Sequence, residues 1–168
     1  VLHHQNARAA IEAVRRNIGS DLPIFAKLSP DVTDISAIAE EVVNAGSDGV
    51  ALINTVLGMV IDVNTMRPRL AQKTGGLSGP AIRPIAVRAI YQVRAALPRI
   101  PIIGMGGVSS GKDAFELILA GANAVSIGTA TFGNPSAAMM IKNELSDIIQ
   151  SKGFASFAEV VSLAHTGN

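Results

Sequence analysis

The stretch that decides the fold is PIIGMGGVSSGKDAFELILAGANAVSIGT, which occupies residues 101–129. It opens with a short apolar run of strand length, Pro101–Gly104, and passes through a glycine turn into a segment of helical period, Lys112–Ala120. A second apolar run of strand length, Ala124–Ile127, follows directly. Strand, helix and strand in this order predict a β-α-β unit, in which a right-handed crossover joins two parallel strands.

The same alternation extends towards both ends of the chain. Asp34 is suited to cap the helix that follows it, and Gly19 and Gly46 are suited to end the helices that precede them. The other predicted helices are Ala7–Ile18, Ile35–Asn44, Pro84–Leu97 and Pro135–Ser151, and the other predicted strands are Ile24–Leu28 and Gly49–Ile53. Between them lies a long polar segment, Leu57–Ala81, which exceeds an ordinary connection and is therefore expected to be functional.

Four parallel strands in the α/β class fit either a doubly wound sheet or a (β/α)8 TIM barrel. A complete barrel needs about 250 residues and eight strands, whereas this chain has 168 residues. The chain also begins on a predicted helix. We therefore expect residues 1–168 to be the C-terminal half of a single barrel domain, strands 5–8, with the N-terminal half missing from this sequence.

The composition argues against several classes of function. There are 14 Lys and Arg against 13 Asp and Glu, and only 4% of residues are aromatic. A nucleic-acid partner is not expected, because phosphate neutralisation and base stacking need more of both. The longest apolar stretch, Gly49–Ile61, is interrupted by Asn54 and Thr55 and is too short to span a bilayer. We expect a cytoplasmic domain with no membrane partner.

The chain contains no cysteine, which excludes a disulfide framework, a thiolate metal site and a cysteine nucleophile within these residues. The three histidines, His3, His4 and His165, lie near the two ends of the chain and away from the predicted strand ends. We therefore expect no metal site.

Function in parallel α/β folds lies at the carboxyl ends of the strands, and polar residues occur there in this sequence. Lys27 lies at the end of the first strand, where it could face an anion or simply extend into solvent or an ion pair. Asn54 and Thr55 end the second strand, where an amide suits an imide or carboxylate and equally suits the start of a turn.

Glycine-rich segments supply the remaining candidates. Gly75–Ile82 runs into a helix, and Gly104–Val108 and Gly128–Thr129 follow the last two strands. Small residues after these strands, followed by a helix N-terminus, form the usual phosphate site of barrel enzymes. A ligand that carries a phosphate is therefore expected.

Taken in order, these motifs resemble dihydroorotate dehydrogenase. The resemblance runs from Pro23 to Ile149 with its order and spacing intact. The motifs that carry it are Lys27–Pro30, Ile53–Thr55, Gly75–Gly79, Pro101–Val108 and Gly128–Ala130. It implies an FMN-bearing (β/α)8 barrel that oxidises dihydroorotate to orotate in pyrimidine biosynthesis.

The resemblance also assigns roles to residues of this chain. It implies that Lys27 contacts the flavin ring, that Ile53 touches it through its backbone, and that Gly79 lines its tail. Asn54 and Thr55 would bind the substrate. The residues that would hold the FMN phosphate are Gly106, Gly107, Gly128 and Thr129.

Two segments, Gly128–Ala130 and Asp62–Leu70, look most like the bacterial NAD-linked class 1B enzymes. That subtype implies a second subunit with FAD and a 2Fe–2S cluster, in a homodimer or heterotetramer. Ala81–Ala86 is similar also to the flavin domain of dihydropyrimidine dehydrogenase, which remains an alternative.

The chain departs from the family in one respect. The family's catalytic base is a Cys or Ser on a loop from the first half of the barrel, and no residue here matches it. We therefore assign no catalytic residue within this chain, and we expect open strand edges near Ile24 and Val125.

Two other functions stay open on the residues alone. One is another phosphate-binding barrel enzyme, which needs an acid–base pair that only Asp31, Asp34 or Asp48 could supply. The other is a non-catalytic half-barrel that serves as a binding module.

Overall fold

The computed structural model of the protein describes residues 2–166. The helices in this range are α1 (Leu2–Ile18), α2 (Ile35–Asn44), α3 (Arg83–Ala96), α4 (Gly111–Leu119), α5 (Ala130–Gly133) and α6 (Ala137–Ser151). The strands are β1 (Phe25–Leu28), β2 (Gly49–Leu52), β3 (Val56–Met59), β4 (Ile61–Asp62), β5 (Arg67–Pro68), β6 (Thr74–Leu77), β7 (Ile102–Met105) and β8 (Ala124–Ser126). Short 3-10 turns occupy Pro80–Ile82, Phe157–Glu159 and Leu163–His165.

Four strands form one parallel sheet in the order β1-β2-β7-β8. The register places Lys27 beside Ala51, Ala51 beside Ile103, and Ile103 beside Ala124. The predicted α/β class with four parallel strands is confirmed. Among the described residues β1 and β8 each pair on one side only, so the expected open edges near Ile24 and Val125 are also confirmed.

One face of the sheet carries the core, and the other is exposed along its two edge strands. Val50, Leu52 and Ile102 are fully buried against the helices. A Cβ added at Gly104 would lie 3.0 Å from Ile90 Cδ1 on α3 and 3.2 Å from Leu117 Cδ2 on α4, so the helix layer reaches the sheet backbone there. On the opposite face the alternate residues of the two edge strands are exposed, namely Phe25, Lys27, Ala124 and Ser126.

The long segment after β2 differs from its prediction as a polar connection. It forms two antiparallel ribbons, β3 with β6 and β4 with β5. Glycines at positions 58, 75 and 76 have weak strand propensity, and strands of two residues show no period, so no strand signal stood out. Large apolar residues lie exposed on these ribbons, including Leu57, Val63 and Met66.

Smaller differences occur at the ends of elements. Helix α1 begins at Leu2 rather than Ala7, and α6 begins at Ala137 rather than Pro135. The one-turn helix α5 was not predicted. Within residues 2–166, no helix combines the length and the apolar character that crossing a bilayer requires.

Two arginine clamps tie helices to strands at the amino end of the sheet. Arg94 donates from Nη2 to the Gly121 carbonyl (2.8 Å) and to Asn123 Oδ1 (2.6 Å). Asn123 Oδ1 also accepts the Ile102 N–H (2.9 Å). Because Arg94 is only 6% exposed, these bonds are shielded from water, and burial lowers the pKa of its guanidinium.

The same clamp occurs once earlier in the chain. Arg15 donates from Nη2 to the Gly46 carbonyl (2.6 Å) and pairs with Asp48, which accepts the Ile24 N–H (2.7 Å). The Ile24 N–H and the Arg15 guanidinium hold the pKa of Asp48 below its ordinary value. Thus α1-β1-α2-β2 and α3-β7-α4-β8 are two units closed in the same way.

We predict that Arg94→Met lowers the free energy of unfolding of the intact protein by about 3 kcal/mol, because several buried acceptors lose their donor. Arg88→Met is the matched control, since Arg88 is exposed on the same helix and bonds only to Gln92. The control should change stability by less than about 0.5 kcal/mol. Denaturant unfolding measures both variants, and equal effects would contradict the clamp.

Candidate functional site

A cleft of about 270 Å³ opens at the carboxyl end of the parallel sheet. Every strand of the sheet, or the loop after it, contributes lining residues. They are Lys27, Ile53, Thr55, Ser78, Gly79, Pro80, Ile82, Met105, Gly106, Gly107, Val108, Ser109, Ser126, Gly128, Thr129 and Ala130. This is the edge of the sheet where parallel α/β folds place their ligands.

Most of the predicted site residues lie together in this cleft. Those that line it are Lys27, Ile53, Thr55, Gly79, Gly106, Gly107, Gly128 and Thr129. Asn54 does not line it, although both of its neighbours do. Its side chain is exposed and its backbone N–H donates to the Leu28 carbonyl (2.8 Å).

Several backbone amides at the cleft have no acceptor among residues 2–166, including four that follow β7 and β8. No hydrogen bond found among residues 2–166 uses the N–H of Gly106, Gly107, Gly128 or Thr129 as its donor. Native proteins pair nearly all such groups with protein, water or ligand. Backbone N–H groups grouped at strand ends before helices bind anions, so these four form a candidate anion site.

Glycine is required where two of the cleft loops touch. Gly107 has φ +73°, and a Cβ there would lie 2.8 Å from the Gly79 carbonyl oxygen and 2.9 Å from the Arg83 nitrogen. A Cβ at Gly79 or Gly128 would meet no atom within 4 Å. The close contact at Gly107 joins two loops of the cleft. Gly79 and Gly128 instead border open space that a ligand can fill.

Three serines, Ser78, Ser109 and Ser126, also line the cleft, and the sequence assigned them no role. Thr129 donates from Oγ1 to Ser78 Oγ (2.9 Å) and so joins the loops after β8 and β6. Ser78 lies within the quoted glycine motif, whereas an isolated serine at a strand end carries no signal of its own.

Thr55 is held by the first ribbon. A Cβ on Gly76 would collide with the Thr55 side chain, so β6 packs its bare backbone directly against this residue. Asp31 fastens the same end of the ribbon, because its Oδ2 accepts the N–H of Leu57 (2.9 Å), which is the residue paired with Gly76. The long segment after β2 therefore positions a residue of the cleft.

Lys27 is the sole charged residue among the cleft's lining within the described part of the chain. It is exposed, and no carboxylate of residues 2–166 lies within ion-pair distance of it. The structure thus disfavours the ion-pair alternative for Lys27.

Asp31, Asp34 and Asp48, the carboxylates considered for an acid–base pair, do not lie at the cleft. Asp34 caps α2, where its Oδ1 accepts the Ser36 N–H (2.9 Å), and Asp48 belongs to the Arg15 clamp. Asp31 serves the ribbon, and none of the three lines the cleft.

An ion pair lies directly behind the cleft. Arg83 Nη1 is 2.6 Å from Asp113 Oδ1, and Asp113 Oδ2 accepts from the Ser109 N–H (3.0 Å) and hydroxyl (2.8 Å). Burial by itself raises the pKa of Asp113. The hydrogen bonds from Ser109 and Ser110 and the charge of Arg83 outweigh burial, and the pKa lies below its ordinary value.

No group of three or more metal-ligating side chains was found among the described residues. His165 stacks on Tyr91 with ring centroids 3.9 Å apart, and its Nε2 lies 3.0 Å from the Ala120 carbonyl oxygen. His165 is therefore a packing residue away from the cleft. The side chains of His3 and His4 lie outside the described residues.

Gly107→Ala is predicted to lower the free energy of unfolding by about 2–3 kcal/mol, because φ is positive and the added methyl meets backbone. Gly128→Ala, with open space at its Cβ, should cost less than about 0.5 kcal/mol. Denaturant unfolding of the two variants compares them directly. Equal stability would contradict the loop contact.

The lowered pKa of Asp113 predicts a pH dependence of stability. The folded state holds this carboxylate ionised more firmly than the unfolded state, so its contribution is full above the ordinary pKa of 3.8. It is lost as the pH falls through the lower folded pKa. Asp113→Asn should therefore flatten the loss of stability on acidification below about pH 5. Unfolding curves at stepped pH test this, and an unchanged slope would refute it.

The chain is similar to known proteins over most of its length. The sequence model of the family described as dihydroorotate dehydrogenase matches residues 3–149. The chain is 49% identical over 157 residues to the dihydroorotate dehydrogenase B (NAD(+)) catalytic subunit of Desulforudis audaxviator, covering 94% of this chain and 50% of that protein. It is 51% identical over 144 residues to the identically named protein of Desulforamulus reducens, covering 86% and 47%.

A third relative of the same name, from Oceanobacillus iheyensis, is 46% identical over 155 residues, which covers 92% of this chain and 50% of that protein. The chain thus spans about half the length of the curated relatives it matches.

Proposed function

The chain belongs to the dihydroorotate dehydrogenase family, and from that membership we propose its function. It forms part of the catalytic subunit of an FMN-dependent oxidoreductase that converts dihydroorotate to orotate in pyrimidine biosynthesis. The observation that carries the proposal is the set of four unpaired backbone amides that share a cleft with Lys27. This arrangement suits a ligand with a phosphate at one end and an electron-rich ring at the other.

We further propose that the four parallel strands are strands 5–8 of a (β/α)8 barrel, and that this chain is the C-terminal half of that domain. Three observations support this. The outer edges of β1 and β8 have no partner among residues 2–166. The sheet face opposite the helices is exposed along both edge strands, and the chain matches about half of each relative.

FMN fits the residues of the cleft. The amides of Gly106, Gly107, Gly128 and Thr129 would hold its phosphate, since backbone donors at strand ends match a phosphate without needing a cationic side chain. Gly79 borders open space beside them, where a side chain would obstruct the flavin tail. The bound cofactor supplies a hydride acceptor, which no side chain can provide.

The chain's own residues orient the reactants around that acceptor. Lys27 brings a cation to the cleft, where it stabilises negative charge that develops on the ring. Ile53 would contact the ring through its backbone, and Asn54 and Thr55 would bind the substrate, with Thr55 placed by Gly76. No carboxylate or cysteine lines the cleft within residues 2–166. The family resemblance assigns the base that removes the substrate's C5 proton to a loop of the first half of the barrel, outside this chain.

A second subunit belongs to the proposal. The relatives are named catalytic subunits of an NAD(+) enzyme, and this supports an electron-transfer partner that carries FAD and a 2Fe–2S cluster. The assembly would be a homodimer of the catalytic subunit or a heterotetramer with the partner. NAD+ is then the final acceptor.

The test uses the intact protein. It should bind one FMN per catalytic subunit, and dihydroorotate should bleach the flavin absorbance. Lys27→Met is expected to slow that reduction by about 100-fold, the usual effect of losing a charge that stabilises the transition state. Lys142→Met, which removes an exposed lysine on α6, should leave the rate unchanged. Absence of flavin, or bleaching unaffected by Lys27→Met, would contradict the proposal.

A further inference from the structure

The two glycine loops of the cleft are held by more than their backbone contact. One loop, Gly79–Ile82, leads into α3, whose first residue is Arg83. The other, Gly106–Ser109, leads into α4, whose first turn contains Asp113. Whatever joins Arg83 to Asp113 therefore sets the distance between the loops.

The side chains form a continuous link between them. Arg83 Nη1 lies 2.6 Å from Asp113 Oδ1. The other oxygen of Asp113 accepts both the N–H and the hydroxyl of Ser109. Because Ser109 itself lines the cleft, the link runs from one lining loop to the other through three residues, which we call the Arg83 link.

The link is better shielded than an ordinary surface ion pair. The Asp113 side chain is 11% exposed and that of Arg83 is 32% exposed. Glu116 also pairs with Arg83, through Nε at 2.9 Å, but its side chain is 49% exposed and reaches neither loop. The Arg83–Asp113 pair thus carries the connection, and Glu116 is a solvated neighbour.

The Arg83 link also compensates the negative charge of Asp113 next to the candidate anion site. The Asp113 carboxylate accepts the N–H of Ser109, two residues after Gly107, and its negative charge there would repel a phosphate. Arg83 neutralises that carboxylate without entering the cleft lining. Removing Arg83 would both release the loop spacing and leave an uncompensated carboxylate behind the amides.

We propose that Arg83 is a positioning residue for the phosphate end of the cofactor. It fixes the Gly79 loop against the Gly106–Gly107 loop and cancels the charge of Asp113. The inference rests on the proposed function, since it presumes that the phosphate of FMN lies on these amides. It extends that function by assigning phosphate affinity to a residue that does not touch the ligand.

The test compares FMN with riboflavin, which lacks the phosphate, by fluorescence quenching on the intact protein stripped of flavin. Arg83→Met should weaken FMN binding by about tenfold or more, the usual effect of losing a residue that orients a ligand's contacts. Riboflavin affinity should change by less than about twofold, because the ring does not depend on the link. The matched controls are Arg88→Met on the same helix and Glu116→Gln, and both should bind FMN as the unmodified protein does.

A second pair of variants distinguishes the effect of the Asp113 charge from the effect of the spacing between the loops. Asp113→Asn removes the carboxylate charge but keeps an oxygen for Ser109, so it should weaken FMN binding less than Arg83→Met. The double variant R83M/D113N should bind FMN more tightly than Arg83→Met alone, because no uncompensated charge remains. Should Arg83→Met fail to fold, Arg83→Lys, which keeps the charge but loses the planar fork, should weaken FMN binding severalfold and spare riboflavin.

Equal loss of FMN and riboflavin binding would reduce the link to a structural ion pair and overturn the inference. FMN binding unaffected by Arg83→Met would overturn it while leaving the proposed function in place. If the unmodified protein binds neither flavin, the proposed function fails, and the inference fails with it.

Discussion

The pairing of β2 with β7 is the contact on which the rest of the molecule depends. These strands are neighbours in the sheet although both ribbons and α3 lie between them in the sequence. Their register sets Leu52 beside Gly104, and the Ile53 N–H donates to the Met105 carbonyl (2.9 Å). This pairing depends on Gly104, because the lack of a side chain there lets α3 and α4 pack onto the sheet. The two clamped units meet here, and so do the two sides of the cleft.

The electrostatics of the cleft follow from this arrangement. Bringing strand ends together groups backbone N–H groups, which bind an anion without adding net charge to the protein. Lys27 lies on the edge strand, two strands away from β7, and is the one charged residue that lines the cleft among residues 2–166. The backbone amides would recognise a phosphate, and Lys27 would recognise an anionic ring. A cleft of this kind suits a flavin nucleotide more closely than a simple phosphorylated metabolite.

Sequence patterns predicted helices and strands well where the capping and terminating residues lie next to the element itself. Helix α2 was predicted to the residue, because Asp34 caps its start through Ser36 and Gly46 follows its end. The glycine motifs placed most of the cleft. What could not be predicted are pairings across the chain. Arg94 meets Asn123, 29 residues away, and nothing near either residue indicates this contact.

The ribbons, the hydroxyl of Ser126 and the Arg83 link escaped prediction for related reasons. The ribbon strands are short and contain glycine, so they lack a readable period. Gly46 was evident in the sequence as a helix end, but the contact of its carbonyl, like that of Gly121, depends on an arginine that lies on a preceding helix. A family resemblance supplied roles for residues, whereas the residues that hold them in place emerge only from three-dimensional contacts.

We propose above that the amides after β7 and β8, unpaired within residues 2–166, hold the phosphate of FMN. Hydrogen exchange of the intact protein, with and without FMN, tests it most directly. FMN should slow exchange at residues 106–107 and 128–129, whereas riboflavin at equal occupancy should leave these amides unprotected. Protection of these amides by both flavins alike, or by neither, would contradict the claim.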